Sequence, residues 1–188
     1  MKTFVSRRAF LKSSSAVLAL ATIGTGCVST RTSTPSCTSG RQIKKGIMWG
    51  TVGVKGSLAE KMKAVKAAGF DGVEMMSHMN VAEVLKARDE AGLVIPSVCG
   101  ELHWKKPLTD PDPKVRAEGL EGLNQCLHDA KAYGASSVLL VPGVVNEKIS
   151  YADAYVRAQT EIRKAVPLAE KLGVKIAIEN VWNNFLLS

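Results

Sequence analysis

The chain has 188 residues, the length of one domain with a short appendage, and its composition of 46% hydrophobic and 22% charged residues excludes a disordered or collagen-like chain. Its four Cys are too few for a disulfide-dense small domain. The net charge of +8 is concentrated in the first 40 residues, so that residues 41–188 carry only +3, which gives little support to a nucleic-acid-binding surface.

Residues 1–27 are predicted to be an export signal rather than a folded element. Arg7 and Arg8 are followed by Phe-Leu-Lys, and an apolar run covers residues 16–23. Paired arginines before a short apolar run resemble the twin-arginine signal. Even with its flanking small residues the run is shorter than the ~20 residues that a membrane-spanning helix needs. We therefore expect the twin-arginine export machinery to carry this protein out of the cytoplasm, to the periplasm or to a membrane anchor.

Small residues lead from the apolar run to Cys27, and this arrangement resembles a lipoprotein processing site. Acylation of Cys27 would anchor the protein to a membrane. The alternative is ordinary cleavage near Gly26, which leaves a soluble periplasmic protein. Residues 28–42 are rich in Ser and Thr and are predicted to be a flexible tether. Within it, Cys37 could pair with Cys27 if Cys27 is not acylated.

From residue 43 onward, short apolar runs alternate with longer segments of helical periodicity. The predicted strands are residues 46–50, 72–76, 93–99, 137–142 and 174–179. The segments between them carry apolar residues three or four positions apart, as at Leu58, Met62 and Val65. Each helical segment ends at a Gly shortly before the next strand, and such short returns imply that the strands pair in parallel.

The spacing of the strands indicates a particular parallel fold. The first and fifth strands begin near Ile47 and Val174, which gives about 32 residues per unit, close to the ~31 of a (β/α)₈ barrel. The sequence therefore predicts an α/β fold, a (β/α)₈ TIM barrel of which residues 43–188 carry about the first five strands. Because roughly three more units would be needed to close a barrel, we expect the chain to be a C-terminally truncated fragment.

In parallel α/β folds, the chemistry gathers at the carboxyl ends of the strands. Glu74 lies near the end of the second strand, His103 and Trp104 follow the third, and Glu179 ends the fifth. The strongest candidate is Glu179, because a carboxylate at the end of an apolar run is costly to bury unless it is paired or bound to a metal. Glu74 also fits a solvated strand end, and His103 also fits a packed loop residue, so these alternatives stay open.

Four further residues with reactive side chains are expected to have no role in chemistry. Cys99 and Cys126 lie in apolar segments and are predicted to be buried free thiols. His78 and His128 are predicted to be solvated and to lie away from the strand ends.

Three segments resemble the sugar phosphate isomerase/epimerase family of xylose-isomerase-like TIM barrels. They are residues 69–74, 103–113 and 178–183, the last reading Ile-Glu-Asn-Val-Trp-Asn. The resemblance covers roughly residues 43–188 and includes exported members with twin-arginine signals. It implies an isomerase or epimerase that depends on a divalent metal (Mn²⁺, Mg²⁺ or Co²⁺) and acts on a sugar or sugar phosphate through an enediolate.

The resemblance also implies roles for individual residues. In the family, four side chains at the ends of strands five to eight hold the metal, and Glu179 matches the strand-five Glu, which is both a metal ligand and a catalytic acid/base. Glu74, His103 and Trp104 match positions near the substrate and are implied to bind it. Because the other three ligands belong to later strands, this chain alone is expected neither to hold the metal nor to be active.

Two alternatives to a sugar isomerase or epimerase remain from the sequence. One is a non-catalytic sugar-binding periplasmic lipoprotein on the same barrel. The other is a metal-dependent hydrolase of the endonuclease type, which shares the barrel but is disfavoured by the predicted export and by the weak charge of residues 41–188. No nucleic-acid partner is expected.

Overall fold

A computed structural model of the chain describes residues 43–186, and the export signal, Cys27 and the tether predicted for residues 1–42 lie outside this range. The described residues alternate between strands and helices. The strands are β1 (Gly46–Met48), β2 (Gly72–Met76), β3 (Ser97–Cys99), β4 (Ser137–Leu140) and β5 (Lys175–Ile178). The helices are α1 (Leu58–Ala67), α2 (Val81–Ala91), α3 (Pro113–Tyr133) and α4 (Tyr151–Leu172), and a 3₁₀ turn covers Trp49–Thr51.

The five strands form one sheet in the order β1-β2-β3-β4-β5, and every neighbouring pair is parallel. This confirms the predicted α/β fold, with part of a TIM barrel present. Every strand except β2 is shorter than predicted, and the third and the first show why. The third begins at Ser97 rather than at residue 93, because Pro96 has no N–H to donate and leaves Val94 as an isolated bridge to Gly72. The first ends at Met48, where the 3₁₀ turn takes over.

Local side chains fix where the helices begin and end. Each helix starts at a residue whose side chain accepts a hydrogen bond from a backbone N–H of the first turn, which satisfies a donor that the helix itself leaves free. These residues are Ser57, Asn80, Asp112 and Ser150. Helices α2, α3 and α4 end at a glycine in the left-handed conformation, as the sequence predicts.

The two faces of the sheet have different neighbours. Val73, Met75, Val98, Val138 and Leu140 belong to the core that the strands share with the helices, where Met62, Leu123 and Leu127 are also buried. The residues that alternate with them, among them Glu74 and Ser97, point to the opposite face. The buried free thiols predicted for Cys99 and Cys126 are confirmed.

Two further features concern the outside of the described unit. Ile178 of β5 is 46% exposed, because no strand within residues 43–186 pairs with the outer side of β5. Between residues 43 and 186, none of the helices combines the length and the apolar character that a membrane crossing demands.

Candidate active site

The parallel strands end together at one edge of the sheet, here named the carboxyl edge, and the charges of three carboxylates act there on Cys99. Burial raises the pKa of the Cys99 thiol to about 12, and neighbouring negative charges contribute to the increase. These charges belong, in decreasing order of effect, to Glu74, Glu179 and Glu101. The thiol therefore stays protonated, and the carboxylates that affect it come from within β2, from the loop after β3 and from the residue after β5.

Glu179 follows directly on the last residue of β5. Its backbone N–H donates to the carbonyl oxygen of Leu140 at 3.0 Å, which extends the pairing of β5 with β4 by one step. Within residues 43–186, its carboxylate takes part in no hydrogen bond or ion pair, and the residue is half-buried rather than enclosed. The backbone of Glu179 is thus fixed by its pairing with β4, whereas its carboxylate is free to accept a proton or to bind a ligand.

Glu74 lies on the face of β2 that points away from the helices. Its Oε1 accepts a hydrogen bond from the hydroxyl of Ser97 in the neighbouring strand β3, at 2.5 Å. This bond fixes the orientation of the carboxylate and leaves its other oxygen free to accept from a bound molecule.

His103 is buried in the loop that follows β3, with only 8% of its surface exposed. The backbone N–H of Val141, just after β4, donates to its Nδ1 at 3.4 Å, which leaves the ring proton on Nε2. Burial lowers the pKa of His103, and the negative charge of Glu101 opposes this effect only in part. The imidazole at this position is therefore neutral, and it lines a small cavity together with Leu123 of α3.

The buried state of His103 predicts a pH dependence of stability. Because the pKa of the folded state lies below the ordinary value of 6.5, the unfolded chain binds the proton more readily below that pH. The contribution of His103 to the free energy of unfolding is present above pH 6.5 and is lost as the pH falls toward the folded pKa. We expect His103→Asn to remove this part of the dependence in urea titrations between about pH 5 and 7.5. His128→Asn, at an exposed position of α3, should leave it intact, and equal slopes for the two variants would contradict the assignment.

Two exposed indoles extend outward from His103, the first against its ring and the second against the first. The ring of Trp104 meets that of His103 edge-on, with centroids 5.7 Å apart and planes at 83°. The other indole, Trp182, stacks on Trp104 with the centroids again 5.7 Å apart and the planes at 14°. The sequence resemblance singles out Trp104, and the structure adds Trp182 from the loop after β5.

Buried polar side chains that the sequence did not reveal tie together the loops after β3, β4 and β5. The hydroxyl of Thr109 donates to the carbonyl oxygen of Val144 at 3.1 Å and accepts from the Val144 N–H at 2.9 Å. The amide of Asn183 donates to the carbonyl oxygen of Gly143, and its backbone oxygen accepts from Val145 at 3.0 Å. Thr109 and Asn183 both lie in segments that resemble the family, and this resemblance was the one feature of the sequence that could have drawn attention to them.

His78 was predicted to be solvated and to lie away from the carboxyl edge. Its side chain is exposed as predicted, but the residue lies at the carboxyl edge, two residues after β2. Its backbone is left-handed, with φ of 63°, and its N–H donates to the buried carboxylate of Asp129 at 2.7 Å. The adjacent Ser77 hydroxyl bonds to the His78 Nδ1 at 2.8 Å and accepts from the Glu101 N–H at 2.9 Å. These residues hold the start of the loop that carries His103 and Trp104.

The carboxyl edge carries few side chains that could bind a metal ion. Among residues 43–186, no group of three or more His, Cys, Asp or Glu side chains is arranged to hold one. Even with Glu179 as one oxygen donor, the described residues by themselves do not fit a divalent cation such as Mg²⁺ or Ca²⁺, which takes six or more oxygen ligands.

Comparisons with known proteins place this geometry in a family. The model of the xylose isomerase-like TIM barrel family matches residues 62–187. L-ribulose-5-phosphate 3-epimerase UlaE of Escherichia coli K12 is 27% identical over 133 residues, which cover 64% of this chain and 47% of that protein. The chain thus spans about half the length of the curated relatives it matches.

Solved structures agree on the fold. The apo form of 3-keto-D-glucoside 4-epimerase YcjR from E. coli superimposes with a TM-score of 0.66 at 20% identity, over 76% of this chain and 57% of that one. A D-psicose 3-epimerase crystallised in the presence of D-fructose gives 0.62 at 21% identity, over 77% and 55%. With its family match over residues 62–187 and its parallel five-stranded sheet, the chain belongs to the xylose isomerase-like TIM barrel family.

Proposed function

We propose that the protein is a sugar isomerase or epimerase that moves a proton at a carbon next to a carbonyl group, through an enediolate, on a sugar or sugar phosphate. Membership of the xylose isomerase-like family supports this, as does the similarity to a protein named as a sugar phosphate epimerase. The observation that carries the proposal is the carboxylate of Glu179 at the carboxyl edge, which has no partner within residues 43–186 and which, like Glu74 and Glu101, raises the pKa of Cys99.

The contacts of each residue indicate its proposed role in catalysis or substrate binding. Glu179 has no competing partner within the described residues, and it is the proposed base that takes the proton from the substrate carbon. Glu74 is oriented by Ser97 and would accept a substrate hydroxyl through its second oxygen. His103 is neutral and fixed by Val141, and together with Trp104 it would bound the substrate on the side of the β3 loop.

The proposal includes a divalent cation (Mn²⁺, Mg²⁺ or Co²⁺), and Glu179 would be one of the ligands of that cation. The other donors would have to come from outside residues 43–186, since the described donor set does not fit the ion. No proton transfer proposed here passes through the cation.

Deuterium incorporation tests the proposal directly. The natural full-length protein is incubated in D₂O with a panel of ketoses, ketose phosphates and 3-keto-glycosides, with and without Mn²⁺, and the products are followed by NMR. A proton transfer of the proposed kind places deuterium on the reacting carbon and yields a new isomer or epimer. Saturable sugar binding with neither exchange nor product would overturn the catalytic proposal and favour the non-catalytic sugar-binding protein.

We also propose that the protein is exported by the twin-arginine route and reaches the periplasm, with Cys27 as the site of a lipid anchor. The organisation proposed with it is a signal over residues 1–27, a tether over 28–42 and a barrel part over 43–188. Replacing both Arg7 and Arg8 with Lys should leave the precursor in the cytoplasm, because the export machinery reads the arginine pair itself. Cell fractionation measures this, and unchanged export would refute the route. Mass spectrometry that finds unmodified Cys27 would refute the anchor.

A further inference from the structure

We propose that the outer face of Trp182, supported from behind by Trp104, is a binding subsite for a pyranose ring, so that the substrate class is a ring sugar or glycoside. This inference rests on the proposed isomerase or epimerase function and specifies its substrate. It concerns a residue for which neither the sequence resemblance nor the comparisons give a role.

The stacking geometry leaves one indole face open. Trp104 is 41% exposed and Trp182 is 85% exposed, although the two rings are nearly parallel and in contact. Since Trp104 can cover only one face of Trp182, the exposed surface of Trp182 includes its opposite face. His103, Trp104 and Trp182 therefore form a series that leads from a buried imidazole outward to an open aromatic surface.

The loop that presents Trp182 is anchored on its carboxyl side. Asn183 and Phe185 are each only 3% exposed. Asn183 is bonded to Gly143 and Val145, and Phe185 packs in a small apolar cluster with Ile149 of the β4 loop. Because the backbone around Trp182 is already ordered, a ligand that stacks on it does not have to order the loop, which lowers the cost of binding.

The chemistry of the open face selects the ligand. An indole face carries partial negative charge and packs well against weakly positive C–H groups, and a pyranose ring presents such groups together on one face. An open-chain polyol has the same hydroxyls but no such rigid face. Lys105, which follows Trp104 in the sequence, is paired with Glu101 at 3.1 Å, and we therefore infer a neutral ring rather than a phosphate group as the stacking partner.

Tryptophan fluorescence tests the subsite on the full chain. The chain has three Trp, and replacing Trp49 with Phe leaves Trp104 and Trp182 as the reporters. In this background, methyl β-D-glucopyranoside and cellobiose should give a saturable change at millimolar concentrations, whereas sorbitol should give none. Trp182→Ala should weaken binding by about fivefold or more, and Trp182→Phe by less, because a smaller aromatic face remains.

Val156→Ala provides the control, since it removes an exposed apolar side chain from α4 that lies outside the cluster anchoring the Trp182 loop, and it should leave binding unchanged. Because Trp182 is on the surface, its variants are expected to keep the far-ultraviolet circular dichroism of the parent. Equal binding by the parent and Trp182→Ala, equal binding of sorbitol, or no saturable change with either ring sugar would each overturn the subsite.

The same experiments separate this inference from the function on which it rests. Turnover of open-chain ketoses without any Trp182-dependent ring binding would overturn the subsite and leave the isomerase or epimerase proposal intact. Ring binding that Trp182→Ala abolishes would support the subsite even if no deuterium enters any sugar, the result that would overturn the catalytic proposal.

Discussion

Glu179→Gln is expected to lower kcat of the active enzyme by about 10²-fold or more, since general acid/base catalysis alone contributes about 10²–10⁴-fold. Glutamine keeps the size of the side chain but removes its charge and its basicity. The fold should be unaffected, because the only hydrogen bond described for Glu179 is that of its backbone N–H to Leu140, which the substitution retains. The measurement is turnover in the deuterium-incorporation assay, together with a thermal melt of each variant.

The control for this substitution is Glu170→Gln, which makes the same chemical change at an exposed position near the carboxyl end of α4 and should leave kcat unchanged. Calorimetry with Mn²⁺ on the same active enzyme should show weaker binding for Glu179→Gln and none of this weakening for Glu170→Gln. Equal turnover and equal Mn²⁺ affinity in the parent and Glu179→Gln would mean that Glu179 is only a strand-end carboxylate.

The fold follows from local signals that a single sequence contains. The second strand was predicted over residues 72–76 and is observed over the same residues, because it lies between two clear helical segments. The glycines at 92, 134 and 173 end their helices as expected, since each adopts a left-handed conformation that other residues resist. The prediction for the third strand was too long, because the apolar run across Pro96 was given more weight than the missing N–H.

The sequence predicts where the candidate site residues lie along the strands, but it does not predict the contacts that their side chains make. Alternation and strand ends place Glu74 and Glu179 at the carboxyl edge, but they do not show which side chain meets which. The bond between Thr109 and Val144 spans 35 residues, and that between His78 and Asp129 spans 51. Such contacts depend on how separate βα units pack, and local periodicity does not encode this. Burial of Glu179 was expected from its apolar run, yet the exposed outer side of β5 leaves it half-buried.

Two glycines inside α3 allow a close packing contact that the sequence pattern does not predict. Gly119 and Gly122 lie on the buried face of the helix, where the loop after β3 packs on it. A Cβ on Gly119 would overlap the backbone carbonyl oxygen of Lys106 and approach the Leu108 Cδ2 to 3.2 Å. A Cβ on Gly122 would meet only side-chain atoms of Leu102, the nearest at 2.9 Å. The loop that carries His103 and Trp104 can therefore lie this close to α3 only because these positions lack side chains.

Gly119→Ala is accordingly expected to lower the free energy of unfolding by about 1–3 kcal/mol, the usual cost of overpacking. In an exposed helix the same change would raise it by about 1 kcal/mol, so the expected sign is opposite to that of helix propensity. Urea unfolding measures the difference. Gly122→Ala should cost less, because the flexible side chain of Leu102 can move whereas the carbonyl of Lys106 cannot move without its loop. If Gly119→Ala is stabilising, the loop does not lie against α3 in solution, and the position assigned to His103 fails with it.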